Sequence, residues 1–197
     1  MAMKPFSSGP REDGSLFFEL VDRKVPLSIL NPFHFRQSVA PLVAARKERR
    51  RVQLSEVLKR VRSLQAACDI LLVEGAGGIH VPLGTGYMVS DLIARLRCPV
   101  IVVAQNKLGA INHSTLTVRA LNQTSGTSRV NLVLMNRETC DASASSNRKL
   151  LRQLLTRTRI WELPYLAGHL GDAQLIGNHA RHLRRSLDQI CAHSILS

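Results

Sequence analysis

The sequence has 197 residues, 45% of them hydrophobic, which is enough to bury the core of one domain. Its formal net charge of +13 attracts polyanions, but an aromatic content of only 4% does not favour a nucleic-acid surface, which usually carries stacking platforms. No run approaches the roughly 18 apolar residues of a membrane helix, and residues 1–14 lack a secretory signal, so we expect a cytoplasmic protein without a membrane partner.

The N-terminal segment combines a lysine, two hydroxyls and an acidic pair. Residues 4–9 read KPFSSG, in which Lys4 could hold an anion. Glu12 and Asp13 follow, and the aspartate could bind magnesium. A frayed terminus without function is the alternative, and general physical chemistry alone favours it.

A helix, a strand and a glycine-rich turn come next. Residues 53–68 carry apolar side chains at three- and four-residue spacings, which predicts an amphipathic helix. Residues 69–73 form a short apolar run typical of a strand buried on both faces, and Glu74 ends it before a turn with three glycines. The glycines would let backbone amides approach a ligand while the carboxylate reaches a metal. A tight turn with a structural role is the alternative, and both stay open.

The rest of the sequence alternates strands and helices. Helices are predicted over residues 90–97, 112–122, 143–156 and 172–193, the last broken near Gly177. Strands are predicted over residues 99–104, 130–135 and 159–162, the first buried and the last at a sheet edge. The alternation indicates a single α/β domain over residues 1–197, with a parallel sheet flanked by helices. Ligands bind such sheets at the carboxyl ends of strands, so the loops 74–85, 105–113 and 136–139 should serve one site.

Residues 107–113, KLGAINH, follow a predicted strand and enter a helix. The amides and positive end of that helix could receive a carboxylate or phosphate, and Asn112 could cap it. An ordinary strand-to-helix loop is the alternative, and without further context it has more weight.

Cysteine, histidine and arginine show no metal or nucleic-acid motif. The four cysteines form no CxxC pair, and we interpret them as reduced and structural. His179 and His182 share a helix face without a third ligand nearby, which favours a solvated basic helix. The basic residues 47–51, KERRR, lead into the next helix and are likewise interpreted as a solvated face, as are three arginines of the last helix, Arg181, Arg184 and Arg185.

Taken together, these segments resemble the dethiobiotin synthetase family. In chain order the motifs are KPFSSG, REDG, NPFHF with Pro41, VEGAGGIHVPL, KLGAINH, LVLMN and ELPYL, over roughly residues 3–166. VEGAGG alone also suits proteins that amidate corrinoid rings or partition DNA, whereas its combination with KLGxINH is more specific. The resemblance implies a P-loop NTPase fold and a homodimer.

The resemblance also implies a reaction. The family converts 7,8-diaminopelargonic acid, carbon dioxide and MgATP into dethiobiotin: a carbamate forms on one amine, is phosphorylated, and is attacked by the other amine. The chemistry is phosphoryl transfer aided by positioning and charge neutralisation. By resemblance, Lys4 and Ser8 are the catalytic residues and contact the transferring phosphate and the carbamate. Asp13 and Glu74 hold Mg²⁺ beside the nucleotide.

Further contacts follow from the same resemblance. Gly77 and Gly78 would lie beside the diamine. The substrate carboxylate would be received at a helix N-terminus by Gly109, Ala110, Ile111 and Asn112 of the partner subunit. Asn136 would read the adenine edge through its amide, with Pro164 packed near the base. The resemblance therefore implies a site that spans a dimer interface.

One family feature has no counterpart in the sequence. Members begin with a strand and a loop ending in Gly-Lys-Thr, and no GxxxxGK[ST] pattern occurs in these residues. We therefore expect the first strand, the P-loop and the first helix to be missing, apolar edges to be exposed, and this chain to have little or no activity. A start codon assigned too late explains this better than a remnant that lost catalysis, because Lys4, Asp13, Glu74 and Asn112 remain. The rival hypothesis is a noncatalytic remnant that acts as a basic dimerising or nucleic-acid-associated module.

Overall fold

The computed structural model describes residues 1–124, 126, 129–168 and 172–195, and its chain divides into two units. The N-terminal unit comprises Met1–Leu96 with Gly171–Ala173, and the C-terminal unit comprises Arg97–Leu170 with Gln174–Ser197. Each unit is described by itself. The single domain expected over residues 1–197 stays a prediction.

The N-terminal unit contains short strands interleaved with helices. Its strands are β1 (Ala2–Met3), β2 (Phe6–Ser8), β3 (Phe33–Phe35), β4 (Leu72–Val73), β5 (Pro82–Gly84) and β6 (Tyr87–Met88). Its helices are α1 (Glu12–Leu20), α2 (Leu27–Leu30), α3 (Pro41–Lys47), α4 (Leu54–Gln65) and α5 (Val89–Leu96). The pairs β1–β4 and β2–β3 are parallel, and β5–β6 is antiparallel. The N-terminal segment is therefore built into the fold, and the alternative of a frayed terminus is wrong.

Aromatic and aliphatic side chains form the core of this unit. The rings of Phe6 and Phe33 are paired in register on β2 and β3 and stack with centroids 5.1 Å apart. Helix α4 buries Val57 and Val61 against this core and exposes its basic side chains, which confirms the amphipathic helix predicted over residues 53–68.

The strand predicted over residues 69–73 is shorter and less buried than expected. Only Leu72 and Val73 pair, with β1, and the side chains of Ile70 and Leu72 are 46% and 54% exposed. The prediction of burial on both faces is wrong, because this two-residue pair is covered on one side only within the described part of the chain. An apolar run indicates a strand but does not show what covers it.

The basic side chains of residues 47–51 are exposed, as predicted, but only Lys47 lies on a helix. Helix α3 ends at Lys47, and α4 begins at Leu54. Between them, the Arg50 guanidinium lies 4.8 Å from the centroid of the Phe35 ring and donates a hydrogen bond to the His34 carbonyl at 2.9 Å. Cation–π packing and a backbone hydrogen bond thus give Arg50 a structural role.

The C-terminal unit is a parallel sheet with helices. Its strands are β7 (Val100–Gln105), β8 (Val130–Met135) and β9 (Arg159–Leu163), and its helices are α6 (Ala110–Gln123), α7 (Ala144–Leu154) and most of α8 (Ala173–Ile195). The order β7-β8-β9 is parallel throughout, with Val100 opposite Val130 and Asn131 opposite Arg159. This confirms the predicted α/β class with parallel strands flanked by helices.

Burial differs between the three strands. Central β8 is buried along most of its length. Strand β9 lies at an edge of the described sheet, as predicted. Strand β7 lies at the opposite edge, and Val103 is 65% exposed, so the buried strand predicted over residues 99–104 is only partly buried.

Helix α8 runs without interruption through Gly177, so the predicted break is wrong. Glycine costs a helix about 1 kcal/mol relative to alanine but keeps its backbone donor, and the helix continues. Arg181, Arg184 and Arg185 are exposed on α8, as predicted. None of the helices in the described residues has both the length and the apolar character needed to cross a bilayer.

Candidate active site

Lys4 lies between two carboxylates from distant segments. Its ammonium group is hydrogen bonded to Asp13 Oδ2 and lies 2.8 Å from Glu74 Oε1. The lysine side chain is 14% exposed, whereas those of Asp13 and Glu74 are 54% and 44% exposed. We call these three residues the Lys4 cluster. It presents two carboxylates to solvent above a largely buried ammonium group.

Strand pairing builds the Lys4 cluster. Lys4 follows β1 and Glu74 follows β4, and the parallel pairing of these strands brings both residues to the same carboxyl edge. The Glu74 amide donates to the Met3 carbonyl at 2.8 Å, which continues the pairing to the site. Asp13 lies in the first turn of α1, where the helix dipole favours a negative charge.

The protonation state of Lys4 follows from its surroundings. Burial lowers the pKa of the ammonium group, but hydrogen bonds and the charges of Asp13 and Glu74 oppose that effect and leave the pKa above its ordinary value. Lys4 is therefore a cation at neutral pH, suited to holding an anion and unsuited to accepting a proton.

Ser8 ends β2 with an unsatisfied hydroxyl. Its Oγ is buried and has no hydrogen-bond partner among the described residues. The neighbouring Ser7 Oγ, in contrast, donates to Asn31 Oδ1 at 2.8 Å. Gly9 follows with φ of +85°, and a Cβ there would lie 1.9 Å from Ser38 Oγ. Ser8 thus retains hydrogen-bonding capacity next to a sharp glycine turn.

The sequence did not single out the residue that supports the Lys4 backbone. Asn31 is fully buried, and its Nδ2 donates to the Lys4 carbonyl at 2.6 Å. Its Oδ1 accepts from Ser7 Oγ and from Arg11 Nε, each at 2.8 Å. A Cβ on Gly14 would lie 2.9 Å from Asn31 Cβ, so α1 passes close to this side chain. The only sequence signal was the place of Asn31 in the NPFHF motif.

His34 lies beside this buried amide. Its Nδ1 is 3.0 Å from Ser7 Oγ. Burial lowers the pKa of the His34 imidazole, the Arg11 and Arg50 charges lower it further, and Glu48 only partly opposes them. His34 is therefore neutral at physiological pH.

The glycine turn after Glu74 has one constrained and one open position. Gly77 has φ of +73°, and a Cβ there would lie 2.9 Å from Val81 Cγ2. A Cβ on Gly78 would meet no atom within 4 Å. The backbone conformation thus requires glycine at position 77, which agrees with the alternative of a tight turn with a structural role. Gly78, in contrast, faces open space.

The KLGAINH segment starts α6 earlier than predicted. Gly109 has φ of +91° and precedes the first helical residue, Ala110, whose side chain is buried. Ile111 and Asn112 lie within the first turn, so the prediction that Asn112 caps the helix is wrong. A glycine before the helix leaves its first backbone N–H groups without a capping side chain.

Asn136 lies at the carboxyl end of β8, next to the end of β9. Its amide N–H donates to the Leu163 carbonyl at 2.9 Å, which places it beside Pro164. Its side-chain Oδ1 accepts from Asn106 Nδ2 at 2.8 Å, and its Nδ2 donates to Glu162 Oε1 at 3.1 Å. The two residues assigned to the adenine base are therefore neighbours.

The candidate metal ligands are the two carboxylates of the Lys4 cluster. No group of three or more His, Cys, Asp or Glu side chains that could hold a metal occurs in the described ranges. His179 Nε2, on α8, is 2.8 Å from the Ala167 carbonyl oxygen. Two carboxylates without further protein ligands suit Mg²⁺, which commonly keeps several waters and binds substrate phosphates.

Comparison with known proteins agrees with these motifs. A family model described as an AAA domain matches residues 2–170.

The relatives of this chain include three proteins that carry the name ATP-dependent dethiobiotin synthetase BioD. The protein of Akkermansia muciniphila is 35% identical over 161 residues, 81% of this chain and 75% of the relative. That of Bacillus subtilis strain 168 is 40% identical over 121 residues, 59% of this chain and 52% of the relative. That of Anaeromyxobacter dehalogenans is 43% identical over 127 residues, 62% of this chain and 57% of the relative.

The matches differ in how much of each relative they span. The chain covers three quarters of the Akkermansia protein and little more than half of the other two. The extent of the family match and the identity to the Akkermansia protein are together sufficient for an assignment. The chain belongs to the dethiobiotin synthetase family.

Proposed function

We propose that this chain binds 7,8-diaminopelargonic acid and carbon dioxide as a carbamate and takes part in its ATP-dependent closure to dethiobiotin. The observation that carries the proposal is the Lys4 cluster. It joins three motifs of the resemblance, KPFSSG, REDG and VEGAGG, in one site. The name of the relatives, ATP-dependent dethiobiotin synthetase, supports ATP dependence and the reaction.

Lys4 and Ser8 would act on the anionic part of the substrate. The Lys4 ammonium remains protonated and would donate hydrogen bonds to the carbamate and to the transferring phosphate. The Ser8 hydroxyl has no protein partner in the described residues and would donate to the same anion. The attacking amine loses a proton as the ring closes, and Lys4, which is already protonated, would not accept it.

Asp13 and Glu74 would hold Mg²⁺, which supplies charge neutralisation on the phosphates when bound. The residues present fit this ion. Both are oxygen donors and roughly half exposed, and each keeps one carboxylate oxygen outside the contact with Lys4. One oxygen of each carboxylate is therefore available to bind Mg²⁺ while the other contacts Lys4.

The remaining assignments are part of the same proposal. Gly77 and Gly78 would lie beside the diamine, and the open side of Gly78 supports this. The substrate carboxylate would be received by the α6 terminus from Gly109 to Asn112 of the partner subunit, so the proposal includes a homodimer. The uncapped start of α6 supports an anion there.

The nucleotide would contact the carboxyl ends of β8 and β9. Asn136 would read the adenine edge, and Pro164 would pack near the base. The position of Asn136 against the residue preceding Pro164 supports this pair. The expectation that this chain is poorly active stays a prediction.

A carbamate-binding experiment tests the proposal without requiring turnover. The protein is mixed with 7,8-diaminopelargonic acid and ¹³C-bicarbonate, and the bound carbamate is detected by ¹³C NMR. We expect a carbamate signal that is lost in Lys4→Met and kept in Lys24→Met, which removes an equal charge from an exposed lysine paired with Asp22. Equal signals from both variants would overturn the proposal.

The same samples then report on activity. MgATP is added, and ¹³C-dethiobiotin is measured by mass spectrometry. Carbamate binding without product would confirm the expected low activity of these 197 residues. If the gene encodes an in-frame GK[ST] loop before Met1, the longer protein is assayed in parallel.

A further inference from the structure

A positively charged cavity lies on the C-terminal unit, away from Asn136 and Pro164 of the same unit. It has a volume of about 320 Å³ and lies between α7 and the start of β9. Its polar lining consists of Arg148, Arg152, Thr156, Thr158, Arg159 and Trp161. We call it the arginine cavity. Arg159 begins β9, whereas Asn136 and Pro164 lie at the carboxyl ends of β8 and β9. The arginine cavity and the residues proposed for the adenine base are therefore at opposite ends of the strands.

The three guanidinium groups of the arginine cavity are not neutralised by the protein. Arg148, Arg152 and Arg159 form no ion pair with any carboxylate in the described residues. Unpaired arginines around a concave surface raise the local concentration of anions. The cavity is therefore electropositive without an internal counter-ion.

Two buried donors in this cavity lack an acceptor. Arg148 Nε and Trp161 Nε1 are both buried, and neither has a hydrogen-bond partner among the described residues. Buried polar atoms are nearly always paired, because an unpaired donor loses its hydration without compensation. Both atoms belong to residues that line the cavity, but neither is accessible as the side chains stand, so a ligand would reach them only after these side chains rotate.

The dipole of α7 explains only part of this arrangement. Arg152 lies in the last turn of α7, where a cation is favoured by the negative helix end. Arg159 belongs to a strand, and the indole of Trp161 carries no charge, so neither is accounted for by a helix dipole. A helix dipole therefore does not explain why α7 and β9 both place N–H donors around one cavity.

We propose that the arginine cavity binds the phosphate groups of a compact polyanion. Its polar lining is dominated by N–H donors, which match the acceptor-only oxygens of phosphate, and guanidinium groups bind phosphate through two parallel hydrogen bonds. Three cations favour a ligand with several negative charges over a single carboxylate. Inorganic polyphosphate and the phosphate chain of a nucleotide share this chemistry.

The cavity contains its own spectroscopic reporter. Trp161 is the only tryptophan in the sequence, so tryptophan fluorescence reports on the surroundings of this one residue of the cavity. The chain is titrated with inorganic tripolyphosphate at physiological ionic strength in the presence of EDTA. ATP, sulfate and a single-stranded oligonucleotide are titrated in separate samples. Neither Mg²⁺ nor the diamine is present, so the result is independent of the function proposed above.

A matched pair of variants separates the cavity from general charge. The double variant Arg152→Gln/Arg159→Gln removes two exposed charges from the cavity, and Arg119→Gln/Arg185→Gln removes two exposed charges elsewhere. We expect saturable tripolyphosphate binding that weakens by roughly tenfold or more in the first variant and less than about twofold in the second. Tighter binding of ATP or of tripolyphosphate would identify the source of the phosphates.

Three outcomes would overturn the proposal. The first is an absence of any saturable fluorescence change. The second is equal weakening in both double variants, or equal affinity for sulfate, since either indicates general attraction to the net charge. The third is oligonucleotide binding that is tighter than that of both compact ligands and lost in the cavity variant, which would favour the nucleic-acid hypothesis. Lys24→Met, which removes one exposed charge from the N-terminal unit, should bind tripolyphosphate normally, and failure of the diamine experiment would leave this result unaffected.

Discussion

Lys4 Nζ and Glu74 Oε1 lie 2.8 Å apart, although 70 positions separate these residues in the sequence. The contact depends on β1 and β4, each only two residues long, running parallel and ending together. A third segment, the first turn of α1, supplies Asp13 to the same ammonium group. The site is therefore assembled by pairing between the beginning of the chain and residues beyond its first third.

The first prediction concerns cation binding by Glu74. Glu74→Gln removes one of two carboxylates proposed for Mg²⁺, and we expect Mn²⁺ affinity, measured by electron paramagnetic resonance, to fall roughly tenfold or more. Because the side chain is 44% exposed and Lys4 keeps Asp13, the free energy of unfolding should change by less than about 1 kcal/mol. Glu56→Gln, on the exposed side of α4, is the control. Unchanged Mn²⁺ affinity in Glu74→Gln would rule out the metal assignment.

The second prediction concerns the buried amide of Asn31. Asn31→Ala leaves the Lys4 carbonyl, Ser7 Oγ and Arg11 Nε without their common partner. We expect the free energy of unfolding to fall by about 2–4 kcal/mol, since several buried polar groups lose their hydrogen bonds together. Urea denaturation measures the change, and Asn122→Ala on the exposed end of α6 should cost below about 0.5 kcal/mol. A loss of similar size in both variants would show that the network contributes little.

The third prediction separates backbone strain from steric overlap at Gly9. Gly9 and Gly86 have nearly equal φ values of +85° and +81°. A Cβ at Gly9 would overlap Ser38 Oγ, whereas one at Gly86 would meet no atom within 4 Å. We expect Gly86→Ala to cost about 1 kcal/mol from conformation alone and Gly9→Ala to cost at least about 1 kcal/mol more. Thermal denaturation of both variants gives the comparison, and equal costs would mean that the Ser38 side chain moves away freely.

The fourth prediction concerns pH and His34. The pKa of His34 is lowered in the folded protein, so as pH falls the unfolded state takes up the proton first, near the ordinary value of 6.5. The contribution of His34 to stability is therefore complete above that pH and declines as pH falls from 6.5 towards the folded pKa. His34→Gln should flatten the decline in the free energy of unfolding over this interval. Titration of the imidazole by NMR checks the direction, and a pKa above 6.5 would contradict the prediction.

The local sequence pattern predicted the positions of strands and helices better than it predicted their burial. The spacing of Val57 and Val61 predicted helix α4, and the apolar run at residues 130–135 predicted strand β8, because both signals are local and strong. The runs containing Leu72 and Val103 predicted strands correctly but not their exposure, since a sequence does not show which layer covers a strand. Gly177 was interpreted as a break because its propensity was given more weight than the continuous helical pattern around it.

The residues of the Lys4 cluster were predicted from local signals, but their contact was not. Glu74 and Lys4 were identified from charge and glycine context, yet nothing local indicated that they touch, because parallel pairing between distant segments has no local signal. Asn31 was missed because a buried asparagine and a turn asparagine look alike in a sequence. The shared role of its amide appears only when Ser7, Arg11 and Lys4 are brought around it.

The hydrogen bonds of Asn136 give its amide a fixed polarity. Asn106 donates to the oxygen and Glu162 accepts from the nitrogen, and Asn106 is itself held by Asn147 Nδ2 at 2.9 Å. If the Asn136 side-chain amide were rotated by half a turn, its nitrogen would face the Asn106 donor and its oxygen would face the Glu162 acceptor. Both hydrogen bonds would then be lost. The lone pair and the N–H that remain free are therefore presented in one order only. In the adenine contact that we propose for Asn136, a base whose edge has the opposite order of donor and acceptor would be rejected by electrostatic repulsion.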